Sequence, residues 1–307
     1  MSGPQGHILV IRGGAIGDFI LTLPALTVLR QQFPRAHLEV LGYPHIAQLA
    51  LAGGVVDAVR PIEAQALAGF FARGGTLSED WRDYFSDFDL ILSYLYDPDG
   101  IFQENVARRS PAQFSGGPQR ARDADLTHAT QVYLKPLERL AIFEADAAPR
   151  LALQALPSPH RPLALHPGSG SERKNWPELR WRELLARLVA ETDWHLLLVG
   201  GEAEGDRLER LASGLPRERY TLARSRPLAE LAGLLQGCVG FVGHDSGITH
   251  LAAAVGVPCV VLWGDTVEAV WGPRGERLVV LREPAGLPAI SVARVRWEIQ
   301  ELLGASR

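Results

Sequence analysis

Lysine is nearly missing from this chain: of 307 residues only two are lysines, one of them Lys174, against twenty-nine arginines. A compact ammonium on a flexible stem does not do the work of a planar guanidinium, so a lysine kept against that background is informative. Cysteine is equally scarce. Cys238 and Cys259 both lie in apolar runs; alone they cannot build a metal site, and they read as small buried hydrophobes of a reduced, cytosolic protein. No apolar run reaches the roughly 18 residues that cross a bilayer, and no secretory signal precedes the first strand pattern. A cytoplasmic protein is therefore expected, with contact at a membrane surface left open.

Positive charge is not in excess. The net charge is −4, and between 79 and 99 seven acids (Glu79, Asp80, Asp83, Asp87, Asp89, Asp97, Asp99) face a lone Arg82. A nucleic-acid groove needs a basic surface, so such a partner is not expected. Neither an acidic pair nor a His/Cys cluster has ligand spacing, so no metal and no cofactor are expected. What is present is ordinary for a globular protein, 47% hydrophobic and 21% charged. The length suits two domains of about 150 residues.

The order of elements reads as α/β. His7–Arg12 is a short continuous apolar run of the kind a buried parallel strand shows, broken by Gly13-Gly14. A helix is expected from near Gly17-Asp18 to Phe33-Pro34, then a strand at Leu38–Leu41 and a helix at Tyr43–Leu51. Weaker strands follow at Val56–Arg60 and Leu90–Tyr94, with helices near Asp99–Arg109 and Thr127–Phe143. Residues Ala145–Pro162, with Pro149, Pro157, Pro159 and Pro162, read as a linker. Strand and helix then alternate again: strand Leu163–His166, helix Pro177–Glu191, strand Trp194–Val199, helices Ala203–Ser213 and Pro227–Gln236. Strand Val239–Val242, helix Gly247–Val255, strand Pro258–Trp263 and a helix near Ala289–Leu303 complete the pattern. The expectation is two Rossmann-like, doubly wound parallel-sheet domains, 1–150 and 151–307, facing a central cleft.

Three motifs carry chemistry. Arg12-Gly-Gly-Ala-Ile-Gly-Asp18 is close to the dinucleotide fingerprint G-x-G-x-x-G, but an arginine holds the first glycine's place and no acid ends the second strand. Asp18 is then either a helix cap or a carboxylate that takes a proton from an incoming hydroxyl. His166-Pro-Gly-Ser-Gly-Ser-Glu-Arg-Lys-Asn-Trp-Pro177 lacks the G-K-[ST] ending of a P-loop. Ser169, Ser171 and Lys174 suit a diphosphate; the plainer reading of Lys174 is a solvated surface residue. Gly243-His-Asp-Ser-Gly-Ile-Thr-His250 is not a nucleophile elbow, since it reads G-x-x-S-G. The N–H groups of Ser246, Gly247 and Ile248 at a helix start form an anion site instead. Asp245 caps that helix or meets sugar hydroxyls, and His250 faces the ligand or packs in the core. A softer signal, Gly200-Gly-Glu-Ala-Glu204, puts Glu204 at a strand's carboxyl end, where an acid binds a ribose or simply starts a helix.

Together these residues resemble the lipopolysaccharide heptosyltransferases, glycosyltransferase family 9, of GT-B fold. The resemblance rests on Ile16-Gly-Asp-Phe-Ile-Leu-Thr-Leu-Pro-Ala-Leu-Thr-Val-Leu-Arg30 with Phe33-Pro34, on Lys174-Asn-Trp-Pro177, on Asp245-Ser-Gly247 with the run from His250 to Gly264, and on Trp271-Gly-Pro273. It implies a transferase that moves heptose or a related sugar from ADP-heptose to a saccharide or glycolipid acceptor such as lipopolysaccharide core. Such a reaction is inverting and metal-independent. By the same resemblance Asp18 is the general base and Gly13, Gly14 and Gly17 form an acceptor-side loop. Lys174, Ser169 and Ser171 hold the donor diphosphate, Asp245 meets the donor sugar, Ser246, Gly247 and His250 meet its phosphates, and Glu204 meets the ribose. Ser246 stands where threonine is usual, Ile248-Thr249 replaces Pro-Leu, and Asp265 replaces a proline. Two rival readings are a non-catalytic nucleotide-binding scaffold of the same fold and an NAD-dependent oxidoreductase.

Overall fold

The computed structural model describes residues 5–157 and 160–304. The chain divides between Ala147 and Ala148 into two compact units. No helix or strand lies between Leu140 and Leu163 among the described residues; Pro159 of the expected linker falls outside them.

Unit 1 holds five strands, β1 (His7–Arg12), β2 (His37–Gly42), β3 (Ala58–Pro61), β4 (Leu90–Ser93) and β5 (Gln113–Gly116). Their order is β3-β2-β1-β4-β5 and every pairing is parallel. The helices are α1 (Ile16–Gln32), α2 (Pro44–Ala52), α3 (Glu79–Ser86), α4 (Ile101–Ala107) and α5 (Ala129–Leu134). Unit 2 holds β6 (Leu163–Leu165), β7 (Leu196–Gly200), β8 (Tyr220–Arg224), β9 (Gly240–His244), β10 (Cys259–Leu262) and β11 (Leu278–Leu281). Their order is β11-β10-β9-β6-β7-β8, again all parallel. Its helices are α6 (Glu178–Glu191), α7 (Arg207–Ala212), α8 (Leu228–Gln236), α9 (Gly247–Ala254), α10 (Glu268–Trp271) and α11 (Val292–Gly304). Each sheet therefore runs outward in both directions from its first strand. The strand order reverses beside that strand, between β1 and β4 in unit 1 and between β6 and β9 in unit 2.

Packing follows from this topology. The inner strands β4, β7 and β9 are buried at every residue, as strands covered on both faces must be. One side of the first sheet is closed by Phe70, Trp81, Phe85, Phe88 and Phe102. In unit 2, Trp176, Trp181, Leu184, Leu185 and Leu188 pack on Leu163, Leu165, Leu196 and Leu198. Cys238 and Cys259 are free and buried, and burial raises both thiol pKa values, that of Cys238 to about 12.

Several expected elements are shorter than the pattern suggests. The helix expected over Thr127–Phe143 is α5 followed by a 3₁₀ stretch at Lys135–Leu140; Pro136 has no N–H to continue the α ladder. The helix expected at Ala203–Ser213 splits into a 3₁₀ turn, Glu202–Glu204, and α7. Gly205 at φ +51° separates them. Two acids of the acidic stretch are structural: Asp97 accepts the N–H groups of Phe102 and Gln103 at the start of α4, and Asp89 accepts that of His7.

Candidate functional site

In an open parallel sheet, ligands bind outside the carboxyl ends of the strands, where the order reverses. In unit 2 that point lies between β6 and β9, and the loops leaving them are 166–177 and 245–246. The sequence motifs fall there because a strand's last residue fixes where its loop begins.

His244, the last residue of β9, ties the two loops together. Its ring is fully buried; Nδ1 lies 3.1 Å from the Gly168 carbonyl and Nε2 accepts the Trp176 N–H at 2.9 Å. A neutral ring with the proton on Nδ1 satisfies both contacts, and burial pushes its pKa down to about 3. Trp181 stands edge-on to the same ring at 5.4 Å, and Trp176 donates its indole N–H to the Ile290 carbonyl at 3.1 Å. One histidine thus holds both ends of the 168–176 loop. Removing it with His244→Leu leaves a buried donor and acceptor unpaired, at about 1–3 kcal/mol each. A fall of several degrees in Tm is expected in thermal unfolding; an unchanged Tm would show that the loop holds itself.

The loop carries Lys174 onto Asp245. The Nζ–Oδ2 distance is 2.6 Å, with the lysine 39% and the aspartate 10% exposed. Two residues 71 positions apart, each picked out by its own motif, are therefore one ion pair. Ser246 begins α9, and its hydroxyl accepts the Thr249 N–H at 3.3 Å. The first-turn amides of Gly247 and Ile248 have no acceptor within the helix. His250, on α9, is buried.

The remaining predicted residues turn inward. The Ser169 hydroxyl donates to the Ser171 carbonyl at 2.8 Å and accepts its N–H at 3.3 Å, so it shapes its own turn. Glu204 is buried: one carboxylate oxygen accepts the Gly201 N–H at 2.6 Å and the other lies 3.6 Å from His166 Nε2. A side chain at Gly168 would place its Cβ 2.0 Å from that second oxygen, so any larger residue there would have to displace the Glu204 side chain. His166 Nδ1 reaches the Ser246 hydroxyl at 3.3 Å. Burial and the Arg207 charge push the His166 pKa down to about 4. Arg207 also grips Glu172 (2.6 and 2.8 Å) and reaches the Pro167 carbonyl at 3.3 Å; its hydrogen bonds, with that of Asn175, hold the Glu172 carboxyl below its usual range.

In unit 1 the corresponding point lies between β1 and β4. Gly14 there has φ +101°, a conformation that favours glycine, and a Cβ on it would meet the Asp18 carboxylate at 3.1 Å. Gly13 is half-buried and Gly17 lies in the first turn of α1. Asp18 is 30% exposed, and its Oδ2 accepts the Ala15 N–H at 3.2 Å. Arg12 ends β1 and is buried, with its guanidinium carbon 4.5 Å above the Tyr133 ring and 5.6 Å from that of Tyr94. It holds the place of the dinucleotide fingerprint's first glycine, with its side chain packed inward against these two rings.

His166, His244, Arg207 and Arg12 make structural contacts around these loops that sequence reasoning did not assign. All four lie in or beside the quoted motifs, and three of them sit at or next to strand ends. Among the described residues no three His, Cys, Asp or Glu side chains converge as metal ligands, and no helix is long and apolar enough to cross a membrane.

Two doubly wound parallel sheets in one chain, each with charged loops at its point of strand reversal, define a two-domain Rossmann-like α/β protein. The family model for glycosyltransferase family 9 (heptosyltransferase) matches residues 111–292, and the chain belongs to that family. It is 33% identical to lipopolysaccharide heptosyltransferase 1 of Salmonella typhimurium, covering 93% of this chain and 98% of that protein. A shorter match to lipopolysaccharide heptosyltransferase 1 of Pseudomonas aeruginosa is 40% identical over 35% of this chain and 30% of that one. The solved structure of ADP-heptose LPS heptosyltransferase II from E. coli superposes with a TM-score of 0.80 at 19% identity, covering 97% and 99% of the two chains. The fold is GT-B, and the protein is a glycosyltransferase.

Proposed function

We propose that this glycosyltransferase moves a heptose from ADP-heptose to a saccharide or glycolipid acceptor of the lipopolysaccharide-core type, with inversion and without a metal. Unit 1 takes the acceptor and unit 2 the donor. The observation that supports this most directly is the Lys174–Asp245 pair at 2.6 Å beside the start of α9. A cation, a set of unpaired helix amides and an acid for sugar hydroxyls stand together, which is what a nucleotide diphosphate sugar presents to a protein.

In the proposed step the acceptor hydroxyl attacks the anomeric carbon and Asp18 takes its proton. The bond from that carbon to the diphosphate oxygen breaks on the opposite face, and ADP leaves with the electron pair. Lys174 and the amides of Gly247 and Ile248 stabilise the negative charge that develops on the leaving group. Donor binding frees Lys174 from Asp245, which turns to the sugar. Ser171, Ser246 and His250 complete the diphosphate site, and Glu204 meets the ribose after releasing Gly201; Ser169 contributes by shaping the loop. The similarity to named lipopolysaccharide heptosyltransferases supports a cytoplasmic enzyme, in peripheral contact with the inner membrane when its acceptor is a glycolipid.

Calorimetric titration with ADP, UDP, GDP and NAD tests the donor. ADP is expected to bind selectively, and Lys174→Ala to weaken it about tenfold or more, the worth of a charge-assisted hydrogen bond. Binding of NAD alone, or of no nucleotide, would overturn the reading. ADP binding without transfer from ADP-heptose would leave a scaffold. Transfer should survive excess chelator; its loss on chelation, restored by a divalent cation, would remove the metal-independent step.

A further inference from the structure

The guanidinium of Arg12 is an expensive thing to bury. It is 1% exposed, and a charge taken out of water needs hydrogen bonds and a countercharge. Its two terminal nitrogens donate to backbone carbonyls, NH1 to Gln119 at 2.6 Å and NH2 to Asp18 at 3.2 Å. The rings of Tyr133 and Tyr94 face the cation, and Tyr94 donates its hydroxyl to the Tyr133 carbonyl at 2.5 Å, which ties the Tyr94 ring to the Tyr133 backbone. Arg12 Nε has no partner among the described residues. The acid recorded against this cation is Asp18, whose Oδ1 lies 3.9 Å from NH2.

That distance matters. It is too long for a hydrogen bond and short enough for a strong ion pair. Oδ2 is occupied by the Ala15 N–H, while the Asp18 carbonyl takes both Arg12 and the Thr22 hydroxyl, the latter at 2.8 Å. The carboxylate is thus fixed through its backbone and one oxygen. Its other oxygen feels the cation but receives no proton from it. A guanidinium donating directly to Oδ1 would compete with any hydroxyl for the same lone pairs.

We infer that Arg12, clamped by Tyr133 and Tyr94, is a positioning residue for Asp18 and leaves Oδ1 as the oxygen that accepts the acceptor's proton. The inference rests on the reading of Asp18 as the base. An arginine in the place of the fingerprint's first glycine is then part of the machinery for transfer.

The test measures kcat and the donor KM for transfer from ADP-heptose in Arg12→Gln, Arg12→Lys and Asp18→Asn. Asp18→Asn is expected to lower kcat by about 10²–10⁴. Arg12→Gln is expected to lower kcat about 10²-fold with the donor KM unchanged, because a displacement of about 1 Å at a reacting group costs that much. Arg12→Lys keeps the charge without the fork and should recover about a tenth of the wild-type kcat. If Arg12→Gln does not fold, the tenfold loss in folded Arg12→Lys at constant KM carries the test. Wild-type kcat in the folded Arg12 variants, or Arg12→Lys no better than a folded Arg12→Gln, overturns the inference while the base reading stands. Normal turnover in Asp18→Asn overturns both.

Discussion

Replacing Asp18 with alanine or asparagine is expected to lower kcat by about 10²–10⁴ while the affinity for ADP stays within twofold of wild type. The size follows from what a general base supplies in the transition state, and the selectivity from where the residue sits. Asp18 lies in unit 1, at the first turn of α1, and every nucleotide contact proposed above comes from unit 2. An interaction made only in the transition state lowers kcat and kcat/KM together and leaves binding alone. The structural role of Asp18 as a cap is smaller, about 1 kcal/mol, and asparagine keeps an oxygen for the Ala15 N–H. Circular dichroism and calorimetry on the same preparations separate the two effects. A variant that is folded, binds ADP and turns over normally would reduce Asp18 to a helix cap.

Acid sensitivity is the second large effect. His166 and His244 are buried and neutral in the folded chain, with pKa values pushed down to about 4 and about 3, chiefly by burial. In the unfolded chain both return to about 6.5. Above that pH neither state binds these protons. Between about 6.5 and 4 the unfolded state binds two and the folded state none, so stability falls as pH falls. The slope approaches about 2.7 kcal/mol per pH unit for two protons, or about 3–4 kcal/mol lost between pH 7 and 5, a large part of the 5–15 kcal/mol of a typical domain. Asp57, Glu172 and Glu178 have lowered pKa values, so their stabilisation is present above the ordinary carboxylate range and lost only at lower pH. Urea midpoints taken at half-unit steps from pH 7.5 to 5 should therefore decline well before the carboxylates titrate. A flat profile over that range would mean that both rings are solvated in the fold and titrate as they do in the unfolded chain.

Much of the architecture was legible because inner parallel strands are buried on both faces and write themselves as apolar runs. His7–Arg12, Leu90–Ser93 and the runs leading into Gly200 and His244 all have that form. The strands that escaped the reading, β5, β8 and β11, are three of the four sheet edges. Gln113–Gly116 and Tyr220–Arg224 each bury a single residue in four or five positions, too little for a periodic signal. The aromatic helix α3 was masked by its acids, whose charges draw the eye from Trp81, Tyr84 and Phe85 beneath.

The candidate site divides in the same way. Lys174 and Asp245 were each singled out by local pattern, but their separation of 71 positions hid that they touch. Arg12 reads in sequence as a departure from a glycine motif. Its meaning depends on Tyr94, Gln119 and Tyr133, which lie 82 to 121 positions downstream. His244 and His166 look like punctuation at strand ends until the loop they fasten is seen. Ser169 and Glu204 show the opposite case: the residue type suited a ligand, and the fold has turned the polar atoms onto neighbouring backbone.

The chain's two thiols have a practical consequence. Both are buried and kept protonated far above neutral pH, so neither offers the thiolate that maleimides and other sulfur reagents attack. The wild-type background is thus already silent to labelling. Cysteines placed at Tyr96 and Leu179, 74% and 76% exposed and in different units, would accept a spin or fluorophore pair without any prior mutation of the native sulfurs. The distance between the halves could then be followed through a catalytic cycle in the unaltered active site.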